Sequence, residues 1–376
     1  MYGSIIQILL TGVLFCLTVF PINANHFDPH VYPKHGPFFE GWYVRISGLR
    51  QNRSFGILFG KVLPDSQEKA RDTALASVLI YDPKHSDKLV SYDLFANDTD
   101  VNVTVKGGRS VTHDPDFESP ADFRWEIKNA CYLEVKPNRS RIHFAIGPII
   151  VDVALGSPVP WGRKGVGPEG WLEHFPLPLH WFVFSLRSPV ISYTIENKDT
   201  HMIYKGENTG VAHMEKNWGN SFPKAWIWSE GVDVKTNISF ALSGGPVNFY
   251  DIITIPGYLI GYRNPLKGFD LSFRPVDNLI ELIHNDGCNG EIAVKAVGIY
   301  YSVHFYISAK IGTFSECLYG PETNGFRKAC TESYNAKANI SVYRLGTLVD
   351  THTIHNSALE FGGDFVCRKR CKQAFT

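Results

Sequence analysis

Twice in this chain a glutamate stands among aromatic side chains. "GPFFEGWYVRI" (residues 36–46) places Glu40 between Phe39 and Gly41, with Trp42 and Tyr43 following. "HMEKNWGNSFPKAWIW" (213–228) sets His213, Glu215 and Asn217 ahead of Trp218, Phe222, Trp226 and Trp228. A carboxyl group surrounded by rings is poorly hydrated, which disfavours its charged form and raises its pKa. A carboxylic acid kept protonated near neutral pH can serve as a general acid. Read as a strand, the second segment puts His213, Glu215 and Asn217 on one face and Met214, Lys216 and Trp218 on the other. One face then offers an imidazole, an acid and an amide. After the break at 219–223, alternation resumes with Trp226 and Trp228 on one face. Aromatic walls with a few polar groups suit a flat or extended apolar ligand. The competing readings are a Glu40 paired with an arginine in a turn, and tryptophans that fill a barrel core.

Other chemistries find less support. His213-X-Glu215 and the pair His174/His180 lack a third metal ligand, so no metal is expected. There is no Gly-X-Ser-X-Gly elbow. "GRKGVGPEG" (162–170) has glycines but no Lys-Ser/Thr ending and no following helix, so it does not read as a phosphate loop. The 376-residue chain has no net charge and a pI near 7, which removes the electrostatic pull expected of a nucleic-acid binder.

The elements that must hold these residues read as strands. Aromatic content is 13%, and Phe, Tyr and Trp favour pleated, half-buried surfaces. Runs such as "GWYVRIS" (41–47), "SFGILFG" (54–60), "CYLEVK" (131–136), "RIHFAIG" (141–147), "ISYTIEN" (191–197), "EIAVKAV" (291–297) and "YYSVHFYIS" (300–308) alternate with period two between turn residues. No long helical pattern occurs; a short helix is predicted near 66–76. Many short strands point to a mainly β sandwich or barrel. The Pro- and Gly-rich stretch 156–181 precedes the predicted boundary, giving an N-terminal β half at 26–190 and a C-terminal β half at 191–376.

The chain begins with an apolar run at 5–20, followed by Pro21 and small or polar residues. Its length suits a signal peptide over 1–24 better than a membrane span, with a retained signal anchor as the alternative. Asn-X-Ser/Thr sequons at Asn52, Asn97, Asn102, Asn138, Asn237 and Asn339 agree with export as glycosylation acceptors. Beyond the leader lie Cys131, Cys288, Cys317, Cys330, Cys367 and Cys371, an even set that suggests disulfides. Proximity pairs Cys317 with Cys330 and Cys367 with Cys371, leaving Cys131 with Cys288. The expected location is the secretory lumen or the outside of the cell.

"FFEGWYVRI" (38–46), "PLPLHWFVFSL" (176–186), "HMEKNWGNSFPKAWIW" (213–228) and "YGPETNGFRKACTESYNAKANI" (319–340) occur in that order. Together they resemble the tocopherol cyclase family. The resemblance implies two lipocalin-like antiparallel β halves around an apolar cavity. It implies closure of a prenylated hydroquinone to a chromanol. An acid protonates the prenyl alkene and the phenol oxygen captures the tertiary cation, with no cofactor. The candidate catalytic residues are Glu40, Glu215 and His213. Candidate substrate contacts are Phe39, Trp42, Tyr43, His180, Trp181, Asn217, Trp218, Phe222, Trp226 and Trp228. The implied partner is an apolar prenylated aromatic or another isoprenoid lipid, met through transient membrane contact. The alternatives are a secreted lipid-binding lipocalin-like protein without catalysis and, last, a structural glycoprotein.

Overall fold

The structure, a computed structural model, describes residues 25–30, 32–105, 120–162, 165–249 and 253–372. The expected leader at 1–24 lies outside them. Strands dominate, and the helical elements among the described residues are short 3-10 turns.

The first sheet has twelve strands. They are β1 (Phe38–Ser47), β2 (Ser54–Leu63), β3 (Ala74–Asp82), β4 (Ser86–Ala96), β5 (Val101–Val105), β6 (Phe123–Ile127), β7 (Cys131–Lys136), β8 (Arg139–Ile146), β9 (Ile149–Leu155), β10 (Leu179–Asn197), β11 (Met202–Glu207) and β12 (Val211–Gly219). Their order is β4-β3-β2-β1-β12-β10-β9-β8-β7-β6-β5, with β11 on β10. The second sheet has ten. These are β13 (Ala225–Asp233), β14 (Ile238–Phe249), β15 (Ile253–Asn264), β16 (Phe269–Phe273), β17 (Leu279–Asp286), β18 (Glu291–Val297), β19 (Tyr301–Ala309), β20 (Leu318–Glu322), β21 (Gly325–Arg344) and β22 (Thr347–Gly363). Their order is β16-β15-β14-β13-β22-β21-β19-β18-β17, with β20 on β21. One of the two sheets curls into a nearly closed barrel.

Alternation explains why these segments are strands. In β7, Cys131, Leu133 and Val135 point inward while Tyr132, Glu134 and Lys136 stay half-exposed. Each sheet has its own apolar core, with Trp42, Phe55 and Phe144 in the first and Phe240, Val294 and Phe305 in the second. A third core, including Trp161, Trp181, Trp226, Trp228 and Tyr334, fills the seam between the sheets.

Three sequence expectations meet a different arrangement. The sheets change over between Gly219 and Ala225, while the boundary expected at 190/191 falls inside β10. The turn-rich stretch was expected to precede a boundary, yet β9 and β10 on either side of it are neighbours within one sheet. The helix expected near 66–76 is a 3-10 turn, Gln67–Lys69, followed by β3. Its backbone is committed elsewhere: Asp65 N–H donates to Thr323 O and Arg71 N–H to Asn324 O, both in the β20–β21 turn. The disulfides are Cys288–Cys367 and Cys317–Cys371, not the three expected pairs, and Cys131 and Cys330 are free and buried. Cys367 and Cys371 sit in one tight turn, where Cys371 N–H donates to Cys367 O, and they reach two separate partners. Cys330 opposes Gly362 across β21 and β22, in the seam. Of the sequon asparagines, Asn52, Asn97, Asn102, Asn138 and Asn237 are exposed, and Asn339 is half-buried in β21.

Candidate active site

A cavity opens where the two sheets meet. β1 contributes Phe39 and Tyr43, β12 contributes Asn217, and β13 contributes Trp226. The β12–β13 connection adds Phe222, β20 adds Tyr319, and β21 and β22 supply Phe326, Cys330 and Glu360. Phe222 stacks on Phe39 at 5.3 Å and lies 4.9 Å from Trp226, ring centre to ring centre. Bare backbone lets the walls approach. Gly41 faces Gly60 across β1 and β2, and a Cβ at Gly60 would stand 2.9 Å from the Phe326 ring. The cavity continues past Phe222, Trp226 and Pro321 into a wider groove that carries Lys224, Glu322, Arg327 and Asp364.

Glu360 is the carboxyl group of the second sheet at this wall. Strand register places it opposite Glu332 on β21 and opposite Trp228 on β13. Its carboxyl accepts hydrogen bonds from Trp226 Nε1 and from the Cys330 thiol. Burial pushes its pKa up to about 7, against the pull of those two hydrogen bonds, and the nearby Glu215 adds to the rise. Burial likewise lifts Glu332 well above the usual carboxylate range, with the Glu360 charge next in importance.

Behind the wall the seam holds three buried carboxyl groups, Glu215, Glu230 and Glu332, and Glu360 stands half-buried at the wall itself. Two basic side chains answer them. Arg45 pairs with Glu230. His213 Nε2 lies 2.9 Å from Glu215 Oε2, which also accepts from Trp228 Nε1 at 2.9 Å. Burial alone would lower the His213 pKa, but Glu215 and Glu230 outweigh it and hold it above its ordinary value. Each partner thus neutralises one carboxylate. Glu332 and Glu360 have no salt-bridge partner among the described residues, so a proton is the cheapest neutraliser for each. The cavity residue Tyr43 donates from its hydroxyl to Glu332 Oε1 at 2.8 Å.

Glu40 is arranged differently. It touches the cavity wall, but its carboxyl pairs with Lys216 at 2.9 Å and accepts the His30 backbone N–H at 2.9 Å. Lys216 sits over the rings of Trp42 and Trp218 at 4.7 and 5.4 Å. His180 and His30 stack on the faces of Trp218. His180 Nδ1 lies 2.8 Å from Glu169, which also accepts the Trp181 backbone N–H at 2.6 Å.

Of the residues singled out by sequence, the cavity gathers Phe39, Glu40, Trp42, Tyr43, Asn217, Phe222 and Trp226. Trp228, His213 and Glu215 form the layer behind it, where Trp228 meets Tyr43 edge to face at 5.1 Å. Trp218, His180 and Trp181 do not line it. Among the described residues, no group of three or more His, Cys, Asp or Glu side chains is arranged to hold a metal ion. No helix among them is long and apolar enough to cross a membrane.

Residues 36–363 match the tocopherol cyclase-like family, which is most of the chain. The chain belongs to that family. Its fold is mainly β and lipocalin-like, as the sequence led us to expect. Two solved structures share it. A putative AttH from Nitrosomonas europaea is 15% identical with a TM-score of 0.51, over 93% of this chain and 99% of that one. Kievitone hydratase from Nectria haematococca is 10% identical with a TM-score of 0.52, over 92% and 99%. At such identities the likeness establishes the fold alone. A comparison with curated protein sequences returns no match.

Family membership came from motifs that include Glu40 and Glu215, yet sequence reasoning passed over Glu332 and Glu360. The signal was present. "SALEFGG" (357–363) sets Glu360 between Leu359 and Phe361, the same acid-among-apolar pattern as Glu40. What was not legible is the strand pairing that leaves Glu360 without a cation.

Proposed function

We propose that this family member is a lyase-type enzyme that closes a prenylated hydroquinone to a chromanol, with Glu360 as the acid. The observation that carries the reading is a half-buried carboxyl group, raised in pKa and without a salt-bridge partner among the described residues, at the wall of an aromatic cavity. Family membership supports the reaction class. One structural neighbour is a hydratase by name, which is consistent with chemistry at a double bond.

The steps balance within the cavity. Glu360 transfers its proton to the less substituted alkene carbon. The tertiary cation faces the Trp226, Phe222 and Phe39 rings, whose π faces attract positive charge. The phenol oxygen closes the ring and releases its proton, which restores the acid. Water would capture the same cation, so the apolar lining protects the product. Glu40 and Glu215 were the acids expected from sequence. In this reading they are charged partners of Lys216 and His213, and they set the field around Glu360.

The test is incubation of the purified protein with a prenyl hydroquinol, with chromanol resolved by chiral chromatography. Product of one hand, above an acid-only control, supports the enzyme. Tight binding without product points to a lipid carrier on the same cavity. Neither binding nor product removes the prenyl hydroquinone as the substrate.

A further inference from the structure

Ring closure leaves a proton on the phenol oxygen, and the structure offers it a route. Tyr43 lines the cavity from β1, in the sheet opposite to Glu360. Its hydroxyl donates to Glu332 Oε1 at 2.8 Å. Glu332 stands directly across β21 and β22 from Glu360. Tyr43 and Glu360 are thus two residues of the cavity wall linked through Glu332, by one hydrogen bond on one side and one cross-strand pair on the other.

We propose that Tyr43 is a second catalytic residue, taking the phenol proton, and that Glu332 behind it is the positioning residue that passes a proton back to Glu360. This rests on the cyclase reading and deepens it. The exchange balances. The phenol proton moves to Tyr43 Oη as the Tyr43 proton moves to Glu332 Oε1. The proton on Glu332 moves to the Glu360 carboxylate left by alkene protonation. Every group ends as it began, and no outside acid or base is used.

Four features of the site fit this role. Burial pushes the Tyr43 pKa well up, so a free tyrosinate is disfavoured and its two proton transfers must move together. A protonated Glu332 can both accept from Tyr43 and donate onward, which a carboxylate cannot do. Arg45 lies 4.6 Å from the Tyr334 ring centre and is bound to Glu230; its charge pulls Glu332 down, but burial and the Glu360 charge outweigh it. Tyr334 Oη, 2.5 Å from Tyr43 Oη, fixes the hydroxyl in place.

The experiment measures kcat and KM for wild type, Tyr43→Phe, Glu332→Gln and the double variant, with substrate affinity followed by tryptophan fluorescence. Each single variant is expected to lower kcat by roughly 100-fold, the scale of one lost acid–base group. KM should stay within about twofold, and the double variant should be no slower than the singles, as for residues that act as a unit. A kcat within about twofold of wild type in either folded variant overturns the relay. So does a double variant whose loss is the product of the singles, since that separates the two residues. If Tyr43→Phe does not fold, Glu332→Gln decides alone. An inactive wild type would sink the cyclase reading itself, whereas active wild type with unaffected variants sinks only the relay.

Discussion

Two clusters of buried carboxyl groups, one inside the first sheet and one in the seam, are built from the same residue types and end in different states. In the first, Glu40 has Lys216 and Glu169 has His180. In the seam, Arg45 and His213 answer Glu230 and Glu215, while Glu332 and Glu360 have no cation among the described residues. A buried carboxylate beside a lysine is held charged and fixed. A buried carboxyl without one keeps its proton and is available for transfer. Cation count separates Glu40 and Glu169 from Glu332 and Glu360, while burial also lifts Glu173 and Asp28 of the first cluster above the usual carboxylate range. Cluster position agrees: the part with spare protons borders the aromatic cavity.

The sharpest way to break this comparison is Glu360→Gln. Turnover of the prenyl hydroquinol should fall by about 10²–10⁴-fold, the range for a lost general acid, with binding retained in a fluorescence titration. Unchanged turnover would return the acid to another residue.

Stability should invert the ranking. Glu40→Gln leaves Lys216 buried without its carboxylate, and thermal or urea unfolding should show a loss of about 3–5 kcal/mol. Glu332→Gln replaces a protonated acid by a neutral amide of similar shape. It should cost about 1 kcal/mol or less, the scale of one neutral hydrogen bond. Equal losses in the two variants would mean that both carboxyls are charged.

Proton linkage gives a third test. The folded pKa of Glu360 is raised from 4.5 to about 7, so the folded state holds this proton more tightly than the unfolded chain. The stability it contributes is complete below pH 4.5 and is lost as pH rises toward about 7. A shift of this size corresponds to about 3 kcal/mol. Unfolding free energies of wild type and Glu360→Gln should therefore converge or cross over that window, with the variant the flatter. Asp28, raised to about 6 chiefly by burial, adds a slope that both proteins share. Enzyme activity should fall over the same upper range as Glu360 loses its proton.

The last test is Gly362→Ala. A Cβ there would lie 1.8 Å from the Trp226 ring, so the indole must move off Glu360. Overpacking of this kind costs about 1–3 kcal/mol. A partial fall in turnover, smaller than for Glu360→Gln, would tie Trp226 to the acid. An unchanged rate would make Trp226 a wall alone.

Much of the architecture was legible. Alternation in "CYLEVK" and "EIAVKAV" marked β7 and β18, because period-two patterning is a local property of a strand with one buried face. The aromatic-acid segments were legible as neighbours in space, because Glu40 and Asn217 sit on paired strands that line one cavity. Cysteine pairing was not legible. Cys317 is closer in sequence to Cys330 but is bonded to Cys371, since the C-terminal turn folds back onto the second sheet. The changeover between sheets was hidden for a related reason: the irregular stretch before β10 was expected to precede a boundary, and only the pairing of β9 with β10 shows that both of its ends lie in one sheet.

By itself the sequence determined the β class, the inward faces of the strands and the family motifs, which carry Glu40, Glu215, Glu322 and Glu332. These follow from near-neighbour patterns along the chain. Only the tertiary structure decided which of these glutamates have a cation beside them. Lys216 reaches Glu40 because β12 pairs with β1, and Glu332 meets Glu360 because β21 pairs with β22. The state of a buried acid depends on the nearest cation in space, and strand pairing alone brings that cation near or leaves it away.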